Sequence, residues 1–393
     1  MLVRHVVALL VLWPTAVLGQ VTGRFYIEKD TFALGEPVFL YFEATNSGTD
    51  TRNVYKAYPY SFCSGYQIHV SSDLATDSSC AGMAAAGGSC ASSDAPLEPA
   101  KKVTERILLN YEHKIDSAGL YEIEAERNFS YAPGNEDFFT ARNNSLEVHA
   151  HLTFRVDENA EWGGTDLQSW VELLHSADSA KQREAGLTLA SVAPKSLEDV
   201  LLGFADNSEL RLWAPLAFHR LNTPRSLAGL AKMLDTTKPG TYDHMKAADF
   251  LAESGDPKWF PQLLGVAQKN PKIGNYVYDA AESGGDQILP TLLSMLQSPD
   301  TEFTHPIAVS AFGYTGSRSA VPILFGLLRS SDSGDAQRAL YGLRQLTHRD
   351  VGGDRWFDNP QSQYSVWVKW WNEEGARAPI YKATECGETK PLR

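Results

Sequence analysis

Two stretches of this chain are the same helical phrase written 32 residues apart: LPTLLSMLQSPD from Leu289 to Asp300, and VPILFGLLRSSD from Val321 to Asp332. Proline, leucines and the closing aspartate fall in matching slots. Units of this kind begin near Leu167, Leu197, Leu227, Phe260, Leu289 and Val321, at spacings of 30, 30, 33, 29 and 32 residues. Each opens with an apolar stripe at helical spacing, such as Leu289, Leu292, Leu293 and Leu296, and continues through a polar turn. A second, alanine-rich helix follows, read in REAGLTLASV, RLWAPLAFHRL, HMKAADFLAES, NYVYDAAES, HPIAVSAFGYTG and AQRALYGLRQL. Such a pair cannot cover its own apolar face, so each needs a neighbour, and repetition becomes a condition of stability. Pro261, Pro290 and Pro322 stand near the helix starts, where a missing N–H costs little.

The Leu-Pro-x-Leu-Leu-x-x-Leu opening resembles HEAT repeats, in particular their short bacterial form, over residues 165–350. The resemblance implies an α-solenoid of six helix pairs with an extended surface for a protein or peptide partner. It implies no catalytic residue. Two enzyme families share such repeats. The deoxyhypusine hydroxylase type holds iron through His-Glu pairs, and no histidine here is followed by glutamate. The phycobilin lyase type works on intracellular pigments, at odds with the export leader described below. After the repeats, Tyr364, Trp367 and Trp371 recur at helical spacing in QYSVWVKWWNEEG, like the tryptophan-rich helix that closes bacterial HEAT arrays. A cap over the last apolar face is the plainer reading; an exposed aromatic platform for carbohydrate or peptide is the sharper one.

Residues 24–157 change period. In LEVHAHLTFRV, Leu146, Val148, Ala150, Leu152, Phe154 and Val156 share one face, and Glu147, His149, His151, Thr153 and Arg155 the other. This predicts a strand with one buried and one wet side. GEPVFLYFEATNSG, KKVTERILLN and GLYEIEAER predict further strands, whereas 71–99 carries no pattern and is expected to be a long loop. DSAGLYEI, Asp116 to Ile123, resembles the tyrosine corner of immunoglobulin-like sandwiches, with Tyr121 as the tyrosine. The expected fold is multidomain, all-β plus all-α: an Ig-like β-sandwich over 20–157, a linker over 158–166, a HEAT-type α-solenoid over 167–350, a tryptophan-rich capping helix over 351–375 and a flexible tail over 376–393.

The first 19 residues have the layout of a secretory signal peptide: basic MLVRH, apolar VVALLVLW, and small residues before Gln20. An exported protein, periplasmic or secreted, is expected, with no membrane span in the mature chain. Export bears on Cys63, Cys80, Cys90 and Cys386, which are candidates for disulfides in an oxidising compartment. Closing the small-residue stretch between Cys80 and Cys90 is the simplest pairing. Cys63 with either is equally allowed, and Cys386 can tether the tail. With 35 basic against 48 acidic side chains the net charge is −13, and neither half offers the basic stripe that nucleic acid requires.

A search for chemistry finds no HExxH zinc helix, no GxSxG elbow and no GxxxxGK[ST] phosphate loop. No cofactor is expected. His149 and His151, flanked by Glu147 and Thr153 on one strand face, are the best metal candidate, although a solvated strand face has the same pattern. The expected function is non-catalytic protein binding or scaffolding at the cell envelope or outside it. The alternatives are a protease inhibitor presenting the 71–99 loop and an enzyme with an unrecognised site.

Overall fold

The computed structural model describes residues 21–57, 65–72, 92–134, 144–160, 162, 165–270, 274–297, 302–351, 360–382 and 390–391. The leader, residues 73–91 and all four cysteines, with the disulfide pairings expected of them, lie outside these.

The first half is built of strands: β1 (Val21–Ile27), β2 (Thr31–Ala33), β3 (Phe39–Asn46), β4 (Arg52–Ala57), β5 (Tyr66–Ser72), β6 (Ser92–Leu97), β7 (Lys102–Leu108), β8 (Gly119–Pro133) and β9 (Asn144–Asp157), with a one-turn helix α1 (Leu109–Glu112) after β7. They form two sheets. One is three-stranded, in the antiparallel order β1–β3–β7. The other runs β2–β9–β8–β4–β6. In it β8 is paired along its length by β9, while its other edge is taken first by β5 and then by β4.

Alternation decides which residues enter the space between the sheets. Phe25 and Phe42 from the small sheet meet Tyr66 and Phe129 from the large one, the Phe42 and Phe129 rings lying 5.4 Å apart. Each buried aromatic or aliphatic side chain of this kind contributes about 1.5–3 kcal/mol. Arg127 occupies an inward position of β8. Its Nη2 lies 3.3 Å from Glu105 Oε2 on β7, and Glu105 also accepts a hydrogen bond from the Tyr66 hydroxyl. This buried ion pair joins the sheets.

Two local features bear on the sequence reading. Tyr121 is buried, donates its hydroxyl to the Ser117 carbonyl at 2.9 Å and stacks on Phe154. The patternless 71–99 stretch is not all loop, because Ser92–Leu97 forms β6 at the sheet edge, pairing with β4. Its sequence, SSDAPL, lacks alternation, and Pro96 is tolerated because an edge strand leaves one side unpaired.

The second half is helical: α2 (Thr165–Leu173), α3 (Ser179–Val192), α4 (Glu198–Leu202), α5 (Ala214–Leu221), α6 (Pro224–Thr236), α7 (Tyr242–Glu253), α8 (Phe260–Lys269), α9 (Asn275–Gly284), α10 (Leu289–Leu296), α11 (Thr304–Phe312), α12 (Ala320–Leu328), α13 (Ser333–Thr347) and α14 (Tyr364–Glu373). The chain is therefore β-rich first and helical afterwards. Helices pair as α2–α3, α4–α5, α6–α7, α8–α9, α10–α11 and α12–α13, and each second helix packs on the next second helix. Buried alanines such as Ala185, Ala217, Ala248, Ala281, Ala311 and Ala339 permit that close stacking. Its tightest point is Gly313 against Gly342, where a methyl added to Gly313 would sit 2.5 Å from the Gly342 Cα.

Side-chain caps begin several helices, with Asp178 and Asp332 accepting from backbone N–H groups of α3 and α13, and a Thr223–Ser226 capping box opening α6. Prolines 215, 224, 261 and 290 sit in first turns, as their missing N–H allows. At the far end Trp367 of α14 is fully buried, and Trp371 meets Phe325 of α12. Arg318 then fastens the following segment by donating to the carbonyls of Gly375, Ala376 and Ala378.

The two halves touch. Phe39 stacks on Trp170 with the Arg106 guanidinium 4.5 Å above the Phe39 ring, Arg106 also pairs with Glu184, and Arg220 donates to the Asn110 carbonyl at 3.3 Å. Among the described residues no helix is long and apolar enough to cross a membrane.

Candidate functional site

A run of exposed and half-buried aromatic side chains follows the stacked second helices. It starts at His219 of α5, whose ring stacks on Phe250 of α7 at 4.3 Å. Burial pushes the His219 pKa down to about 4, and the charges of Arg220, Lys114 and Lys246 add to the shift. His219 is therefore neutral at physiological pH, with Nε2 3.4 Å from Glu253.

Beyond it, Lys246 lies 5.3 Å over the Phe250 ring and pairs with Asp249 at 2.8 Å. Burial works against its ammonium, yet the Asp249 charge and hydrogen bond hold its pKa above the ordinary lysine range. Tyr242, 45% exposed, and Tyr276 act on the same lysine. Next comes Tyr278 of α9, stacked at 4.7 Å on Tyr314, which sits just past α11. Tyr314 is hydrogen-bonded with Tyr341 of α13, itself 45% exposed. Burial, helped by Tyr341, Tyr278 and Asp279, raises the Tyr314 pKa to about 12, so its phenol stays protonated and can donate a hydrogen bond. The strip ends in a recess of about 290 Å³ lined by Ser310, Gln337, Arg338, Tyr341 and Arg344.

The strip therefore crosses five successive second-helix levels with tyrosine, phenylalanine, arginine and balanced charge. Tyrosine and arginine supply much contact area and hydrogen bonding for little lost rotamer freedom, and they are enriched where protein partners bind.

A second cluster lies on the outer face of the large sheet. His149 and His151 of β9 point outward with Glu147, as alternation requires. Strand pairing brings them opposite Glu126 and Glu124 of β8. His151 Nδ1 is 2.6 Å from Glu124 Oε1, while His149 lies 3.0 Å from Glu147 through Nε2 and 3.7 Å from Glu126 through Nδ1. One ligand atom each from Glu126, Glu147 and His149 can lie within 4.8 Å of the others. His69 of β5 stands opposite Glu124 on its other side, in the same row as His151. Thr153, two residues further along β9, faces Glu122 instead.

Of the other sequence candidates, Trp367 is fully buried, which removes it from any exposed aromatic surface. Tyr364 and Trp371 are half-buried against their neighbours. Cys63, Cys80, Cys90 and Cys386 lie outside the described residues. A cleft of about 280 Å³ between the halves, lined by Phe39, Tyr41, Arg106, Trp162, Asp166 and Trp170, was not foreseen from the sequence. Its residues come from segments far apart in the chain.

No protein-family model matches the chain, and no curated protein matches its sequence. Among solved structures it is similar to an engineered protein, at 20% identity and a TM-score of 0.18, covering 54% of this chain and 91% of that one. It is also similar to a Salmonella alpha-2-macroglobulin reacted with methylamine, at 10% identity and a TM-score of 0.18, and to the native E. coli alpha-2-macroglobulin, at 11% identity and a TM-score of 0.20. The chain covers 27% of the length of each of these two. Similarity at this level carries no argument about fold or activity, and the functional reading rests on the chain's own geometry.

Proposed function

We propose that this chain is a non-catalytic binding or scaffolding protein of the cell envelope or its exterior, which holds a protein or peptide partner on the strip from Phe250 to Tyr341. The observation that carries the proposal is the succession of aromatic side chains over four second-helix levels, with Tyr278, Tyr314 and Tyr341 in direct contact order. In this reading the helical half is a HEAT-type α-solenoid, supported by the six stacked pairs and the repeated Leu-Pro opening. The β-rich half is an Ig-like sandwich, supported by the two facing sheets and the Tyr121 hydrogen bond to Ser117. Export is supported by the basic, apolar and small-residue order of the leader.

Site-specific photocrosslinking tests the proposal. A photoreactive phenylalanine at Tyr242 or Tyr341 should yield discrete adducts with an envelope protein, and the same group at Leu34 in the β-rich half should not. Adducts from Leu34 alone would overturn the assignment.

A further inference from the structure

We propose that the outer face of β8 and β9 binds one divalent transition-metal ion of the zinc type, through His149, Glu126 and Glu147. The inference is independent of the binding role proposed for the helices.

It starts from the strand register. Antiparallel pairing sets Glu126 directly opposite His149, and Glu147 is two residues from His149 on the same face of β9. Two carboxylates thus converge on one imidazole from two strands, with all three ligand atoms within 4.8 Å of one another. A tetrahedral zinc ion with bonds near 2.0–2.2 Å needs ligand atoms about 3.4 Å apart. The side chains are already close to that spacing. At present Glu126 and Glu147 address different ring nitrogens. Bringing both to one nitrogen requires only rotation of surface side chains, at the modest cost of fixing their rotamers.

The surroundings make a cation welcome. Glu122, Glu124 and Glu126 occupy successive outward positions of β8, and Glu147 stands beside them on β9, so four carboxylates share one face. A divalent ion placed among side chains of one sign on that face meets a favourable field. The imidazole decides the kind of ion: magnesium and calcium prefer oxygen ligands alone, whereas a His-carboxylate set suits zinc and its neighbours. Three protein ligands leave a fourth position for water or a partner's side chain. The adjacent row of His69, Glu124 and His151 flanks the site; among the described residues only Glu126, Glu147 and His149 bring three ligand atoms together, so that row is not assigned to the ion.

The test uses the intact chain, stripped with a chelator and titrated with Zn²⁺ against a chromophoric competitor. Co²⁺ absorption reports whether nitrogen enters the coordination sphere. One ion per chain is expected. His149→Ala and Glu126→Gln should each weaken uptake at least tenfold, while His175→Ala, an exposed histidine of the helical half, leaves it unchanged. His149→Gln keeps the side-chain volume and guards against a folding artefact. Absence of one-to-one uptake overturns the proposal. So does uptake indifferent to His149→Ala and Glu126→Gln, or uptake lost on His151→Ala and kept on His149→Ala.

Discussion

Replacing Arg127 with methionine should loosen the β-rich half and leave the helices intact. Arg127 and Glu105 retain 2% and 8% of their side-chain exposure, and their nearest atoms are 3.3 Å apart. The guanidinium also lies 4.2 Å over the Tyr66 ring and within 6 Å of the Phe42 and Phe129 rings. Methionine fills most of the volume, so the main effect is a Glu105 carboxylate left buried with the Tyr66 hydroxyl as its remaining described partner from this cluster. Removing one member of a buried pair costs about 3–5 kcal/mol. Because about 1.4 kcal/mol is a factor of ten, β8 amide protection should fall by about two to three and a half orders of magnitude. Hydrogen exchange with mass spectrometry reads this peptide by peptide in the intact chain. Peptides of α9 to α13 serve as the internal standard and should not move. The double change Arg127→Met with Glu105→Leu removes both charges and should recover most of the loss, since an apolar replacement of a buried pair is often neutral. A fall of less than tenfold in Arg127→Met, or a double variant less protected than the single, would refute the argument.

Three further outcomes follow from the packing. Gly313→Ala places a methyl 2.5 Å from the Gly342 backbone, which cannot yield as a side chain can; a loss of about 1–3 kcal/mol is expected in thermal or urea unfolding of the helical half. Trp367→Ala opens the end of the array and should cost about 3–5 kcal/mol, read as increased exchange in α12 and α13, while a change below 1 kcal/mol would show that α14 is not a cap. His219 has a folded pKa lowered to about 4 from an ordinary 6.5, so the unfolded chain binds the proton more readily. Its contribution is present above about pH 6.5 and is lost as pH falls towards 4. Its side chain keeps 31% exposure, so solvent reduces the effect to about 1–2 kcal/mol, and His219→Asn should lack that step in a pH series of unfolding midpoints.

The helices were the most legible part of the sequence, because leucine spacing and repeated prolines specify both the elements and their order. The strand β9 was legible for the same reason, through strict alternation from Leu146 to Val156. Alternation in β8 also puts Arg127 in line with Tyr121, Ile123, Ala125 and Phe129, so its burial was readable, but its partner Glu105 was not. The sheet-face cluster divides similarly. His149, His151 and Glu147 lie on one strand and share an evident face. Glu126 and His69 join them only through pairings of β8 with β9 and β5, which one sequence does not specify. β6 escaped notice because an edge strand needs no apolar alternation. The tyrosine strip is assembled from residues about 30 apart, each unremarkable in its own helix, and it became visible only when the helices were stacked.

The central claim, that partners are held on the strip, is tested most directly by affinity capture from envelope extract with the intact chain and with Tyr242→Glu/Tyr341→Glu as parallel baits. Both substituted residues are 45% exposed, so the variant should fold as the parent does. The account predicts a specific protein retained by the parent and reduced at least tenfold on the variant. Equal retention by both baits would contradict it, as would the absence of any protein held above a blank support.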